Sequence, residues 1–177
     1  MKKRNKKMLA QALKFIAGFL VFFAVAYALV FFTPLNHALK TTAAYSTQAV
    51  LTAAGVQTTA SFPDNPHLAN SEFDAEFVDL CGGGLELAVL IGVILATWDR
   101  SWRQRLYGAG LGVFVLLALN PLRIAVTLLL FDAEQAALSE LFHGFLFRFS
   151  LILLIVGYYY IWYLKISPII RRARQPN

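Results

Sequence analysis

Four stretches of the chain are nearly free of charge and long enough to cross a bilayer, which takes about 20 helical residues with a range of roughly 17–25. They cover residues 9–32, 81–98, 106–131 and 141–164, and the second is the shortest and carries Glu86. The first follows Lys2, Lys3, Arg4, Lys6 and Lys7, as a secretory signal would. Its apolar run exceeds the roughly 7–15 residues of a signal h-region, and Phe32-Thr33-Pro34 is a poor cleavage site, so it reads as a retained helix. Between the first two spans, residues 35–54 are rich in alanine and threonine. Leu35, Ala38, Leu39 and Ala43 stand at helical spacing there, which predicts a helix lying on the membrane surface. Short strands are predicted over residues 56–62 and 73–79, where Phe73, Ala75 and Phe77 alternate with Asp74 and Glu76. Pro63-Asp64-Asn65-Pro66 supplies turn chemistry between them, giving a short β-hairpin. No internal repeat interrupts the pattern. The expected fold class is an all-α integral membrane protein: one polytopic domain over residues 1–177, about four transmembrane helices, and a structured outer segment over residues 33–80.

Composition agrees with this and charge adds an orientation. The chain is 58% hydrophobic and 15% charged, against roughly 45–50% and about 25% for a soluble domain. Lys2, Lys3, Arg4, Lys6, Lys7, Arg100, Arg103, Arg105, Lys165, Arg171, Arg172 and Arg174 flank the spans on one side. The other side has Lys40 among Asp64, Glu72, Asp74, Glu76, Asp79, Asp132, Glu134 and Glu140. The positive-inside rule then places both termini in the cytoplasm, with residues 33–80 and 132–140 outside the plasma (inner) membrane. A net charge of +6 is thereby explained by topology, and no nucleic-acid partner is required. Lys14 snorkels to the inner surface. Trp98, Trp102 and Trp162, with Tyr158–Tyr160 and Tyr163, read as interfacial belt residues. One cysteine excludes an internal disulfide, a multi-cysteine metal site and a CxxC redox enzyme.

Three polar side chains meet at one depth under this topology. Cys81 opens the second span on its outer side, where helix N-terminal amides favour an anion. Arg123 lies 17 residues into the third span, roughly 25 Å from the inner end of a core about 30 Å thick. His143 is in the first turn of the fourth, again at the outer face. A thiolate is the reactive form of cysteine. An imidazole titrates near neutrality and can move its proton, and a guanidinium can steady a thiolate or an oxyanion. Together they make a cysteine acyl-transfer site. Gly82, Gly83 and Gly84 are expected to clear space around the sulfur for a substrate backbone. Asn120-Pro121 frees a backbone carbonyl at Leu117 and predicts a kink and a wet pocket serving Asn120 and Arg123. Glu86 is a candidate counter-ion for Arg123, and Arg148 a bundle-internal pair or second anion contact. His37 and His67 lack metal-ligand spacing.

Cys81-Gly82-Gly83 at the start of a span, Asn120-Pro121-Leu122-Arg123 in the next and His143 opening the last resemble the exosortase/archaeosortase family. That family carries a Cys-x-Gly motif, an Asn-x-x-Arg motif and a final His or Arg in three successive transmembrane helices. Gly55-Val56 and the strand-like lead-in to Cys81 extend the likeness over roughly residues 50–150. The resemblance implies a membrane cysteine protease/transpeptidase with Cys81 as nucleophile, completed by Arg123 and His143. Its substrates would be membrane-tethered exported proteins bearing a C-terminal motif, a hydrophobic helix and a basic tail, cleaved at the outer face through a thioester. No cofactor or metal is implied. Gly82 departs from the Ser or Ala common at that position, and the chain is a compact, core-only version of longer relatives. Each residue also has a plain packing role open to it. The competing readings are a non-catalytic four-helix subunit or transporter accessory and a small metal or ion carrier; the latter is disfavoured because no second soft ligand accompanies Cys81.

Overall fold

The computed structural model describes residues 2–62, 65–71, 73–129, 149 and 152–167. Helix α1, Lys2–Phe31, begins inside the basic run, because lysine, alanine, leucine and glutamine are all good helix formers and no glycine precedes Gly18. It stops where Thr33 Oγ1 donates back to Leu29 O at 2.5 Å and Pro34 follows. Met8, Leu9, Leu13, Ile16, Leu20 and Val25 are each more than half exposed along it, a stripe that lipid tails accept and water penalises.

Helix α2, Leu35–Ala53, matches the predicted surface helix in extent. Its buried residues Leu39, Lys40, Ala43, Ala44, Thr47 and Leu51 recur every three or four positions. That face packs on α4 and α1, so packing against protein sets its position. After it come three strands, β1 (Thr59–Ser61), β2 (His67–Ala69) and β3 (Asp74–Glu76), antiparallel in the order β1-β2-β3. The expected two-stranded hairpin is therefore a three-stranded sheet. β2 was hidden because its three residues, hemmed in by Pro66 and Asn70, are too few to show an alternation. The predicted turn does join β1 to β2, with Ser61 paired to His67, although residues 63 and 64 lie outside the described residues.

The second predicted span is helical only over α3, Gly84–Leu95. Its 12 residues reach ~18 Å, short of a core about 30 Å thick. Gly83, at φ 74°, stands in the left-handed region and breaks the helix from the turn before it. Helix α4, Trp102–Leu129, runs unbroken through Pro121, and α5 covers Ile152–Ile166, widening to a π-helix over Trp162–Ile166. Among the described residues two helices, α1 and α4, are long and apolar enough to cross a membrane.

Small residues let these helices close up, as they do in membrane bundles. A Cβ on Gly84 would lie 2.7 Å from Val30, joining α3 to α1, and one on Gly112 would lie 2.8 Å from both Leu90 and Tyr158. The core formed here holds Leu87, Leu90, Ile94, Leu116, Tyr158 and Trp162. Trp162 and Tyr158 are thus packed inside rather than in an interfacial belt: Trp162 is wholly buried against Gly108, and Tyr158 Oη donates to Gly108 O at 2.6 Å. A second cluster, Ala43, Ala44, Leu68, Phe77 and Ile124, seats the sheet on α2 and the far end of α4. At the opposite end, the turn from α3 to α4 gathers charge over aromatic rings. Arg100 stacks on Tyr163 at 4.1 Å, and Lys14 and Arg105 each stand 4.9 Å from the Trp98 ring centre.

Candidate active site

Cys81 lies in the turn that joins the sheet to α3, three residues ahead of the helix rather than in its first turn. Its N–H donates to Val78 O at 2.8 Å, which folds the chain back beside β3. The turn is pinned from α2. Asn36 Nδ2 donates to Asp79 Oδ1 at 2.9 Å, and Lys40 Nζ meets the same oxygen at 3.0 Å while donating to Asn65 Oδ1 at 2.7 Å. Asn36 and Lys40 are one helical turn apart, so their side chains converge. The Lys40 hydrogen bond, with that of Asn36, holds the Asp79 carboxyl below the usual carboxylate range.

The other support comes from α4. Asn120, only 3% exposed, donates from Nδ2 to the Cys81 carbonyl at 2.8 Å, and its Oδ1 accepts from Arg123 Nη2 at 2.8 Å. One amide side chain therefore ties the backbone of the thiol residue to the guanidinium one turn further along α4. Thr127 Oγ1 donates to Arg123 O at 2.9 Å and completes that turn. Asn120 and Arg123, expected to share a pocket, are linked directly to each other. Cys81, Glu86 and Arg123 lie within electrostatic reach of one another. Glu86 is buried in the first turn of α3, and its Oε2 has no hydrogen-bond partner among the described residues.

The three glycines have a different task from the one expected. A Cβ on Gly82 would meet Lys40 at 3.2 Å, one on Gly83 would meet Leu116 at 3.3 Å, and Gly84 abuts Val30. Their missing side chains admit α2, α4 and α1 to the turn, not a substrate to the sulfur. Space beside Cys81 lies elsewhere, in a cavity of about 250 Å³ between β3 and the end of α4, lined by residues 73–78, Cys81, Ile124, Thr127 and Leu128. Its lining is predominantly apolar, so it suits a hydrocarbon side chain.

Cys81, Asn120, Arg123 and Glu86 are thus brought together as the sequence suggests, whereas His143 and Arg148 lie outside the described residues. Lys40 was missed as a support. Its signal was available, since it falls on the same buried stripe of α2 as Leu39, Ala43 and Ala44 and is a lone cation among acidic neighbours.

With that geometry in hand, comparison with known proteins gives one match. The family model described as "Transmembrane exosortase (Exosortase_EpsH)" matches residues 6–161, a longer stretch than the motifs alone suggest. No curated protein matches the chain, and no solved structure does.

Proposed function

The chain belongs to the transmembrane exosortase family, and from that premise we propose that Cys81 is the nucleophile of a membrane cysteine protease/transpeptidase. Its substrates are exported proteins carrying a C-terminal sorting signal, and the reaction takes place at the outer face of the plasma membrane. Cys81 Sγ, as thiolate, attacks the carbonyl carbon of the scissile peptide bond. Arg123 offsets the negative charge that develops on the thiolate and on the carbonyl oxygen. The C–N bond breaks, the departing amine takes a proton from His143, and a thioester remains on Cys81. An acceptor amine, or water, then attacks the thioester and gives its proton to His143, and the C–S bond breaks to release the Cys81 thiolate. Holding the substrate by its own transmembrane helix fixes the depth of the scissile bond and supplies proximity.

The observation that carries this reading is the Cys81–Asn120–Arg123 bridge beside the cavity. A packing cysteine needs neither a buried amide to orient its backbone nor a cation close by. The test is replacement of Cys81 by Ala and by Ser in cells, followed by inspection of exported proteins with hydrophobic C-terminal tails. Unprocessed protein is expected to accumulate in both variants while each remains inserted. Normal processing in Cys81→Ala would end the proposal and favour the non-catalytic subunit.

A further inference from the structure

The cavity beside Cys81 also says how a peptide would lie, given the reading of Cys81 as nucleophile. Its wall includes six consecutive residues, Phe73 to Val78. Successive side chains of a strand point to opposite faces, so a wall made of all six is the edge of β3, not one of its faces. The hydrogen bonds agree. Phe73 O accepts from Asn70 N–H at 2.9 Å, Phe77 N–H donates to Pro66 O at 2.8 Å, and Ala75 pairs with Leu68 between them. Residues 73, 75 and 77 therefore turn their backbone groups toward β2. The backbone groups of Asp74 and Glu76 are left pointing the other way, along the cavity.

Among the described residues one group on that edge is taken up locally, Glu76 O, which accepts from Val78 N–H at 3.2 Å; the N–H and C=O of Asp74 and the N–H of Glu76 pair with no other strand. α2 packs on β1 and β2, and the facing wall is the Ile124, Thr127 and Leu128 face of α4. A row of outward N–H and C=O groups is a template for an added strand, and this one leads to the turn that returns Cys81 to the cavity.

We infer that the peptide segment preceding the scissile bond binds as an extended fourth strand on the edge of β3. It hydrogen-bonds to the N–H and C=O of Asp74 and to the N–H of Glu76, and places one aliphatic side chain in the cavity, between Phe77 and Leu128. Its C-terminal end is thereby delivered to Cys81 Sγ. The occupant is an extended peptide, because the edge offers main-chain partners at alternate residues, and the aliphatic anchor follows from the cavity's apolar lining. This arrangement also retains the acyl half of the substrate while the acceptor arrives.

The test uses the full chain in membranes and two kinds of probe: iodoacetamide, and acetyl-tripeptide vinyl sulfones whose double bond takes up the Cys81 thiol. Replacing a leucine of the tripeptide by glycine at the anchoring position is expected to slow labelling more than about ten-fold. N-methylation is expected to cost about ten-fold at one amide and little at the next, since only alternate amides face the edge. Leu128→Trp, which fills the cavity from the α4 side and leaves the residues of β3 unchanged, is expected to lower the ratio of peptide to iodoacetamide labelling by about ten-fold. Labelling by iodoacetamide with a flat response to side chain and N-methylation would overturn the added strand and leave Cys81 as nucleophile. A thiol inert to both probes would overturn the nucleophile reading and this inference with it.

Discussion

Helix α4 carries Arg105 near one end and Arg123 near the other, eighteen positions or about five turns apart, so both address α3 from one side. Arg105 is 8% exposed, donates from Nη1 to Leu95 O at 2.7 Å, and lies 4.9 Å from the rings of both Trp98 and Trp102. A cation at the C-terminal carbonyls of α3 satisfies an orphaned acceptor and complements the helix dipole. Arg123 has a different neighbourhood: the amide of Asn120 and, behind it, the backbone of Cys81, the one member of the bridge that lines the cavity. The same residue type finishes a helix at one end and stands by a thiol at the other. Burial of a charge in a membrane helix is therefore not by itself a sign of chemistry; what separates the two ends is what each charge is joined to.

That contrast breaks most sharply on the pair Arg123→Gln and Arg105→Met. On the proposed mechanism, Arg123→Gln removes the charge that stabilises the transition state while leaving a hydrogen-bonding side chain for Asn120. Processing should fall about 10²–10³-fold, the scale of losing one oxyanion donor, with the protein still inserted and its thermal midpoint nearly unchanged. Retained processing in Arg123→Gln would erase the distinction between the two ends. Asn120→Leu is the next largest step. It deletes the bridge to the Cys81 carbonyl and is expected to cost about 10²-fold, because a displacement of about 1 Å at the nucleophile is enough for that. Asn120→Asp keeps an acceptor for Arg123 but not the donor to Cys81, so it should resemble Leu if orientation of the turn is what matters.

How much of this could be read from the chain depends on whether the cause is local. The depth argument placed Cys81 beside Arg123 because helix rise and bilayer thickness are fixed quantities, and Asn120 one turn away followed from the same periodicity. The triple glycine misled for a physical reason. Its sequence says that side chains are absent, but not whether a substrate or another helix fills the room, and here Lys40, Leu116 and Val30 do. β2 escaped notice because three residues carry no period, and the cavity could not be foreseen because it needs the edge of β3 to meet α4. Arg105 was counted as one more cytoplasmic loop charge; its role at Leu95 depends on the turn between α3 and α4 folding back tightly.

Arg105→Met tests the other half of the comparison and should have a smaller effect on function. It keeps most of the apolar stem but gives up a charge-assisted hydrogen bond and the stacking on Trp98 and Trp102. The expected loss is about 2–3 kcal/mol of stability, visible as a lower thermal midpoint in detergent. Processing per folded molecule should stay near wild type. A stable Arg105→Met that fails to process would mean the two ends are coupled through α3, and that the division drawn above is too simple.

The smallest effect concerns the Lys40–Asp79 clamp that holds the Cys81 turn to α2. Asp79 has its carboxyl held low by Lys40 and then Asn36, whereas an unfolded aspartate titrates near 3.9 or so. The charged form is thus favoured by folding. Its contribution is complete above that ordinary value and disappears as pH falls through the lower folded one. With the side chain 57% exposed, solvent screening limits the contribution to about 1 kcal/mol or less. Thermal midpoints measured between about pH 7 and about pH 3 should fall further for the wild type than for Asp79→Asn, which has no carboxylate to lose. Cys81 alkylation by iodoacetamide, followed across the same range, should fall off more steeply in the wild type as well, beyond the loss due to thiol protonation common to both. Parallel curves for the two proteins would show that the clamp does not steady the turn, and would leave that task to Asn120 and to the Cys81–Val78 hydrogen bond.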